Sequence, residues 1–289
     1  MKRWIAISGA AVAVAIALVI VGVGGSGGRT VPPSTVTQAA AATAATRGYR
    51  IAVDGVVTVA GQRIAMKGAG AVDTARRRGS VTYRITGMPG AAAGSRPIRM
   101  EQVFEGAVMY MRSPLFAPAT GGRDWIKFDT QRIQRAAGTA LPGNDIYSDP
   151  SQMVDQLRAI SGDVEEVGRE TVRGARTTHY RGTVDLRRYP KLAPPARRAE
   201  ARAAVERLID LSGTSKIPQE IWIDARRHVR RFRLDVEMKL AAVPGEPTMK
   251  MDLTQDLFAF GAPVDVRIPS DDDVKDVTEL GVNATPGAG

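Results

Sequence analysis

The chain has 289 residues, a formal charge of +10 from 40 Lys and Arg against 30 Asp and Glu, 5% aromatic residues and no cysteine. Lacking cysteine, it has neither disulfide staples nor a thiol for lipid attachment behind an N-terminal apolar segment, so it must stand on a buried core of its own. With so few aromatics, that core must be built from Val, Ile, Leu, Met and Ala.

Met1–Trp4 is a short basic start, and Ile5–Val23 follows without a charged residue. As a helix this run can span a ~30 Å hydrocarbon layer. It is long for the ~7–15-residue core of a signal peptide. Lys2 and Arg3 stay on the cytoplasmic side, which sends the rest outward. Residues 1–25 are therefore predicted to be a transmembrane signal anchor, with release by cleavage at Val21–Gly24 as the alternative. Export removes nucleic acid as the reason for the positive charge. Outside the membrane, anionic headgroups or acidic wall polymers fit it, although an Arg-rich chain from a GC-rich genome is basic by default.

Gly24–Thr46 is rich in Gly, Ser, Pro, Thr and Ala and reads as a flexible spacer. The domain boundaries follow as 26–47 linker, 48–270 folded domain and 271–289 acidic, disordered tail. Two motif matches in the spacer, Gly22–Gly27 as G-x-G-x-x-G and Gly24–Gly28 around Ser26 as G-x-S-x-G, lack the strand-to-helix setting their chemistry needs.

From Tyr49 the apolar residues recur with period two: Ile51, Val53, Val57 and Val59, then Ile64, Met66 and Val72, then Val81, Tyr83 and Ile85. Such alternation, broken by Gly, predicts antiparallel strands with one buried face. Further strands are predicted at Ile98–Phe104, Val108–Met111 and Trp125–Phe128. A helix is predicted from the Asp149-Pro150 start through Ile160, stopped at Gly162. A hairpin, Val164–Val172 with Arg176–Leu186, turns near Arg173-Gly174. A second helix runs from about Pro195 to Leu211, apolar along Ala201, Ala204, Val205, Leu208 and Ile209, and ends at Gly213. Ile217–Asp224, Val229–Leu240 and Thr248–Phe260 complete a closing meander. The sum is α+β: a large curved antiparallel sheet, a half-open β-barrel closed by two or more helices, with ten or eleven strands.

Little in the chain points to catalysis. Neither histidine, His179 or His228, has metal-ligand spacing around it, and no nucleophile elbow supports a Ser-His-Asp triad; His179 reads as structural and His228 as exposed. Asp271–Asp273 lacks the remaining ligands of a calcium loop and reads as a solvated turn. No catalytic residue, metal or cofactor is assigned. Arg226, Arg227, Arg230, Arg231 and Arg233 crowd one hairpin, either to meet anionic lipid or as a solvated outer face. The surplus of small and flexible apolar residues on strands suits a cavity for something greasy, unless the helices plug it. The inward-facing set assigned to that cavity is Ile51, Val53, Ile64, Met66, Phe232, Leu234, Val236, Met249 and Met251.

Several stretches, in order from about residue 48 to 280, resemble the actinobacterial LolA-like lipid carriers, the LppX/LprG group of envelope lipoproteins. They are Asp124-Trp125-Ile126-Lys127, Asp149-Pro150, Ser161–Gly168, Val172-Arg173-Gly174, Thr177-Thr178-His179-Tyr180, Ile217-Pro218, Trp222-Ile223-Asp224 and Val229-Arg230-Arg231. The resemblance implies a hydrophobic cavity that carries an acylated lipid or glycolipid without chemistry, on the outer face of the cell membrane. In this chain the acylated cysteine of that group is missing, and a tether with a ~20-residue spacer would reach ~25 Å from the membrane. The rival expectation is an envelope sensor or interaction module with a filled core, docking an envelope protein.

Overall fold

The computed structural model describes residues 29–88, 95–138, 160–239, 245 and 247–283. Thirteen strands form one sheet: β1 (Arg29–Val31), β2 (Gly48–Val59), β3 (Gln62–Asp73), β4 (Arg78–Thr86), β5 (Ile98–Glu105), β6 (Val108–Arg112), β7 (Trp125–Asp129), β8 (Ile160–Val172), β9 (Ala175–Asp185), β10 (Lys216–Asp224), β11 (Val229–Lys239), β12 (Thr248–Phe258) and β13 (Val274–Asp276). Their order is β1-β8-β9-β10-β11-β12-β2-β3-β4-β5-β6-β7-β13. The two ends do not pair with each other, so the sheet stays open. Every pairing is antiparallel except β13 against β7. Among the described residues six α-helices accompany it: α1 (Ser34–Ala44), α2 (Ala117–Thr120), α3 (Thr130–Ala136), α4 (Tyr189–Leu192), α5 (Arg198–Ser212) and α6 (Thr278–Asn283).

The hairpins follow from local chemistry. Ala60-Gly61 and Arg173-Gly174 both carry two consecutive positive φ angles (50° and 80°; 45° and 79°). That is the type I′ geometry whose twist matches paired strands, and glycine at the second place relieves half of its strain.

Curvature comes from glycine on the inner face. Gly68, Gly70 and Gly79 stand opposite Tyr83, Val81 and Phe104. A Cβ on Gly70 would come within 2.0 Å of the Ser80 carbonyl oxygen, and one on Gly79 within 2.1 Å of the Phe104 ring. Removing side chains there lets β3, β4 and β5 curl tightly around the interior.

Charge registers the outer face. Six of the oppositely charged pairs that lie directly across from each other are Asp54–Lys67, Arg78–Glu105, Glu101–Arg112, Arg181–Glu220, Arg231–Asp256 and Glu237–Lys250. Each contributes only a few tenths of a kcal/mol up to about 1. A one-residue slip would break all six and invert the apolar face as well.

Two stretches differ from expectation. Within the predicted spacer, α1 is a helix with Val36, Ala39, Ala40 and Thr43 buried at i, i+3, i+4 and i+7. Alanine-rich sequence favours helix, but its contrast with Ser and Thr is too small to show as a period. Within the predicted tail, Asp271–Asp273 forms a 3-10 turn, β13 pairs with β7, and α6 follows. Val274 is buried there with Trp125, Val103 and Tyr110 on the outer face. The predicted anchor lies outside the described residues, as does the helix from Asp149 except its end; Ile160–Gly162 belongs to β8. No helix of the described residues is long and apolar enough to cross a membrane.

Candidate functional site

Alternation and curvature together gather the apolar positions of β2 to β7 and β9 to β12 onto one concave face. Ile51, Val53, Ile64, Leu234, Val236, Met249 and Met251 are buried in a single cluster there, and Met66 and Phe232 are half-buried against it. All nine residues assigned from the sequence thus come together. Helix α1 adds Val36, Ala39 and Ala40 to the cluster, and α5 adds Ala204, Val205 and Leu208. Every described methionine lies in this cluster or against it. Methionine has three rotatable bonds and a polarisable sulfur, so such a lining adapts to irregular apolar shapes.

One row of the ladder crosses the face from strand to strand: Tyr180, Ile221, Phe232, Gln255, Val53, Gly68, Tyr83 and Met100. Ile221, Val53, Tyr83 and Met100 are buried, whereas Tyr180, Phe232 and Gln255 are half-buried. Solvent therefore reaches the concave face beside β9, β11 and β12.

Three glutamines interrupt the apolar lining. Gln102 is 1% exposed, among Met100, Phe104, Val81 and Met111, and neither Oε1 nor Nε2 has a partner. Gln219, 2% exposed between Ile217 and Ile221 and opposite Gly182, has an unpartnered Oε1. Gln255 lies in the row between Phe232 and Val53. Sequence reasoning passed over all three, although each stands at an inward place of the period-two pattern. The polar residue breaking that pattern was the available signal.

The outer face carries the strand arginines and His179. Arg230, Arg231 and Arg233 are engaged: Arg230 Nε donates to Asp224 Oδ2 at 2.6 Å, Arg231 Nε to Asp256 Oδ1 at 2.6 Å, and Arg233 Nη2 to Asp252 Oδ2 at 2.9 Å. Arg226 and Arg227 sit on the exposed turn, with Arg227 Nη1 3.4 Å from Gln38 Oε1. Alternation alone would place Arg230 on the inner face with Phe232. A register shift at Trp222/Ile223 sends it out, so that Val229 pairs with Ile223 and Arg231 with Trp222. Asp224 organises this turn by accepting from the backbone N–H groups of Arg226 and His228, both at 2.9 Å. Burial pushes its carboxyl up; the bonds from His228 and Arg230 outweigh that and hold it below its ordinary value.

His179 stacks on Trp222 at 4.0 Å and 9°, flanked by Glu170 and Glu220, and Trp222 Nε1 donates to Glu170. Burial lowers its pKa more than the two carboxylates raise it. His228, expected to be exposed, is half-buried and stacks on Phe260 at 4.5 Å. The bend that carries Arg230 over the same ring, at 4.8 Å, is tertiary and has no sequence period.

No protein-family model matches the chain. An uncharacterized 31.2 kDa protein encoded between rplA and rplJ in Streptomyces griseus is 32% identical over 177 residues, 60% of this chain and 55% of that one. A candidate lipoprotein of Streptomyces coelicolor is 34% identical over 134 residues, 44% of this chain and 47% of that one. The chain thus spans about half the length of the curated relatives it matches. Among solved structures, lipoprotein LppX of Mycobacterium tuberculosis is similar at a TM-score of 0.46 and 14% identity, over 81% of this chain and 97% of that one. The resemblance to LppX-type envelope lipoproteins read from the sequence is met again there. At a TM-score under 0.5 it decides nothing about function, which must rest on the chain's own geometry.

Proposed function

We propose that this protein binds an acylated lipid or glycolipid against the concave face of its open sheet, outside the cytoplasmic membrane and without chemistry. The observation that carries the reading is the methionine-rich apolar cluster on one side of a sheet that remains open, with solvent reaching Tyr180, Phe232 and Gln255. Acyl chains would supply affinity at about 0.8 kcal/mol per buried CH₂. Flexible methionines would accommodate chains of more than one length. The ionisable groups that could do acid–base work, His179 with Glu170 and Glu220, are stacked and paired on the opposite face of the sheet.

The location is part of the same proposal. In the sequence, Gly24–Gly28 lies between the apolar run and Arg29, the first described residue of β1. At ~3.3–3.6 Å per residue, that is about 17 Å at full stretch. An anchored domain would work at the membrane surface, taking lipid from the bilayer or presenting it there, rather than ferrying it across the wall.

Native mass spectrometry of the full-length chain, followed by organic extraction, tests this. The expected result is added mass that extracts as a defined acylated lipid, or uptake from phosphatidylglycerol vesicles doped with dipalmitoylglycerol. A clean apo mass with no uptake would sink the proposal and leave the filled-core interaction module.

A further inference from the structure

Gln102, Gln219 and Gln255 occupy inward positions on β5, β10 and β12, in a lining that is otherwise apolar. A buried amide without a partner forfeits the hydrogen bonds it had with water, and an apolar residue of similar shape would avoid that loss. Gln102 forfeits at both ends, since Oε1 and Nε2 are each buried and unpartnered. The rows crossing its neighbours offer no remedy, being built of Met100, Phe104, Val81 and Met111. Such groups are expected to be satisfied by something that is not part of the chain.

The chemistry of that something is constrained. A carboxamide offers one strong acceptor and two donors and carries no charge. The inward positions of β2 to β5 and β10 to β12 hold no acidic or basic side chain, and the strand arginines Arg230, Arg231 and Arg233 are paired to acids on the other face. An anionic headgroup would find no counter-charge here. An uncharged group that both accepts and donates would find three amides. Relative to the ladder row through Ile221, Phe232, Val53 and Met100, Gln219 and Gln102 lie one inward position to either side, with Gln255 in the row itself. The amides are thus spread over β5, β10 and β12 rather than marking one point.

Resting on the lipid-binding reading above, we infer that Gln102, Gln219 and Gln255 select the neutral linkage region of the bound lipid, its ester carbonyls and free hydroxyls, and that this region is held inside the lining rather than left at its mouth. The ligand class is then an uncharged, multiply acylated lipid. Ester carbonyls accept from Nε2, and a hydroxyl donates to Oε1. Dialkyl ethers with the same hydrocarbon offer far poorer acceptors at the same places.

The test uses the full-length chain with two probes, 1,2-dipalmitoylglycerol and its ether counterpart 1,2-dihexadecylglycerol, competed against each other and quantified in the extracted ligand by mass. Wild type is expected to favour the ester by about tenfold, the equivalent of one or two hydrogen bonds. Gln102→Leu is expected to reduce the preference to under about threefold, and Gln219→Leu to act in the same direction. Gln102→Met serves as a second variant with a different shape, and both Gln102 variants should melt no lower than wild type. Equal uptake of the two probes by wild type would overturn the inference while leaving lipid binding intact. So would an undiminished preference in Gln102→Leu and Gln102→Met. Uptake of neither probe would instead remove the lipid-binding reading and the inference with it.

Discussion

The Asp256 carboxylate, 8% exposed, accepts from Arg231 Nε at 2.6 Å and from Arg173 Nε at 2.9 Å, and so joins the β8–β9 turn to β11 and β12. Burial pushes this carboxyl up, but the hydrogen bonds and charges of the two arginines outweigh it and hold it below its ordinary value. A carboxyl depressed in the folded state stabilises the fold above its unfolded pKa of ~3.9, and that contribution disappears as pH falls through the folded value. Asp256→Asn is expected to cost about 1–2 kcal/mol at neutral pH, discounted because both guanidinium groups are partly in water. Urea melts should show the gap between wild type and variant closing as pH drops from about 5 towards 2. A gap that stays constant across that range would contradict the assignment. This carboxylate was not legible beforehand, because residues 173, 231 and 256 meet only through tertiary structure. That the nine assigned residues share one apolar face was legible, because each is one tooth of a period-two comb.

At the scale of elements, two strand glycines make opposite predictions. Gly70 on β3 has the Ser80 carbonyl oxygen 2.0 Å from where a Cβ would sit, and a backbone atom cannot swing aside. Gly168 on β8 would meet nothing within 4 Å. Gly70→Ala is therefore expected to cost about 2–3 kcal/mol and Gly168→Ala less than about 0.5, as read from denaturant midpoints. Similar losses at both sites would mean that curvature at β3–β4 is not held by the missing side chain. The long strands were visible from their alternation, whereas β1 and β13 were missed because three residues hold too little of a period to detect. Helix α5 was read with its apolar face. Helix α1 was not, although Val36, Ala39, Ala40 and Thr43 have helical spacing. Its partner settles it: Thr43 Oγ1 accepts from the buried Val229 N–H at 2.8 Å, a bond between positions 186 residues apart.

For the whole molecule, the described residues ahead of position 48 (β1 and α1) and beyond position 270 (β13 and α6) belong with the same sheet. Residues 47–289 alone would lack β1 and α1, exposing the positions that Val36, Ala39 and Ala40 cover and leaving the Val229 N–H without its acceptor. That fragment is expected to lose at least about 3 kcal/mol against residues 29–289. In thermal melts this corresponds to about 6–12 °C. Identical melting of the two fragments would return the helix to the status of a spacer. The sequence by itself determined the class of fold and the inward-facing set. Alternation of apolar and polar residues is a property of neighbours in the chain and survives without knowledge of what packs on it. Only the tertiary structure decided which end segments pack on the sheet, that the strand arginines are paired with acids, and that Gln102 and Gln219 keep buried amide atoms without a partner. Those outcomes depend on groups far apart in sequence arriving, or failing to arrive, at hydrogen-bonding distance.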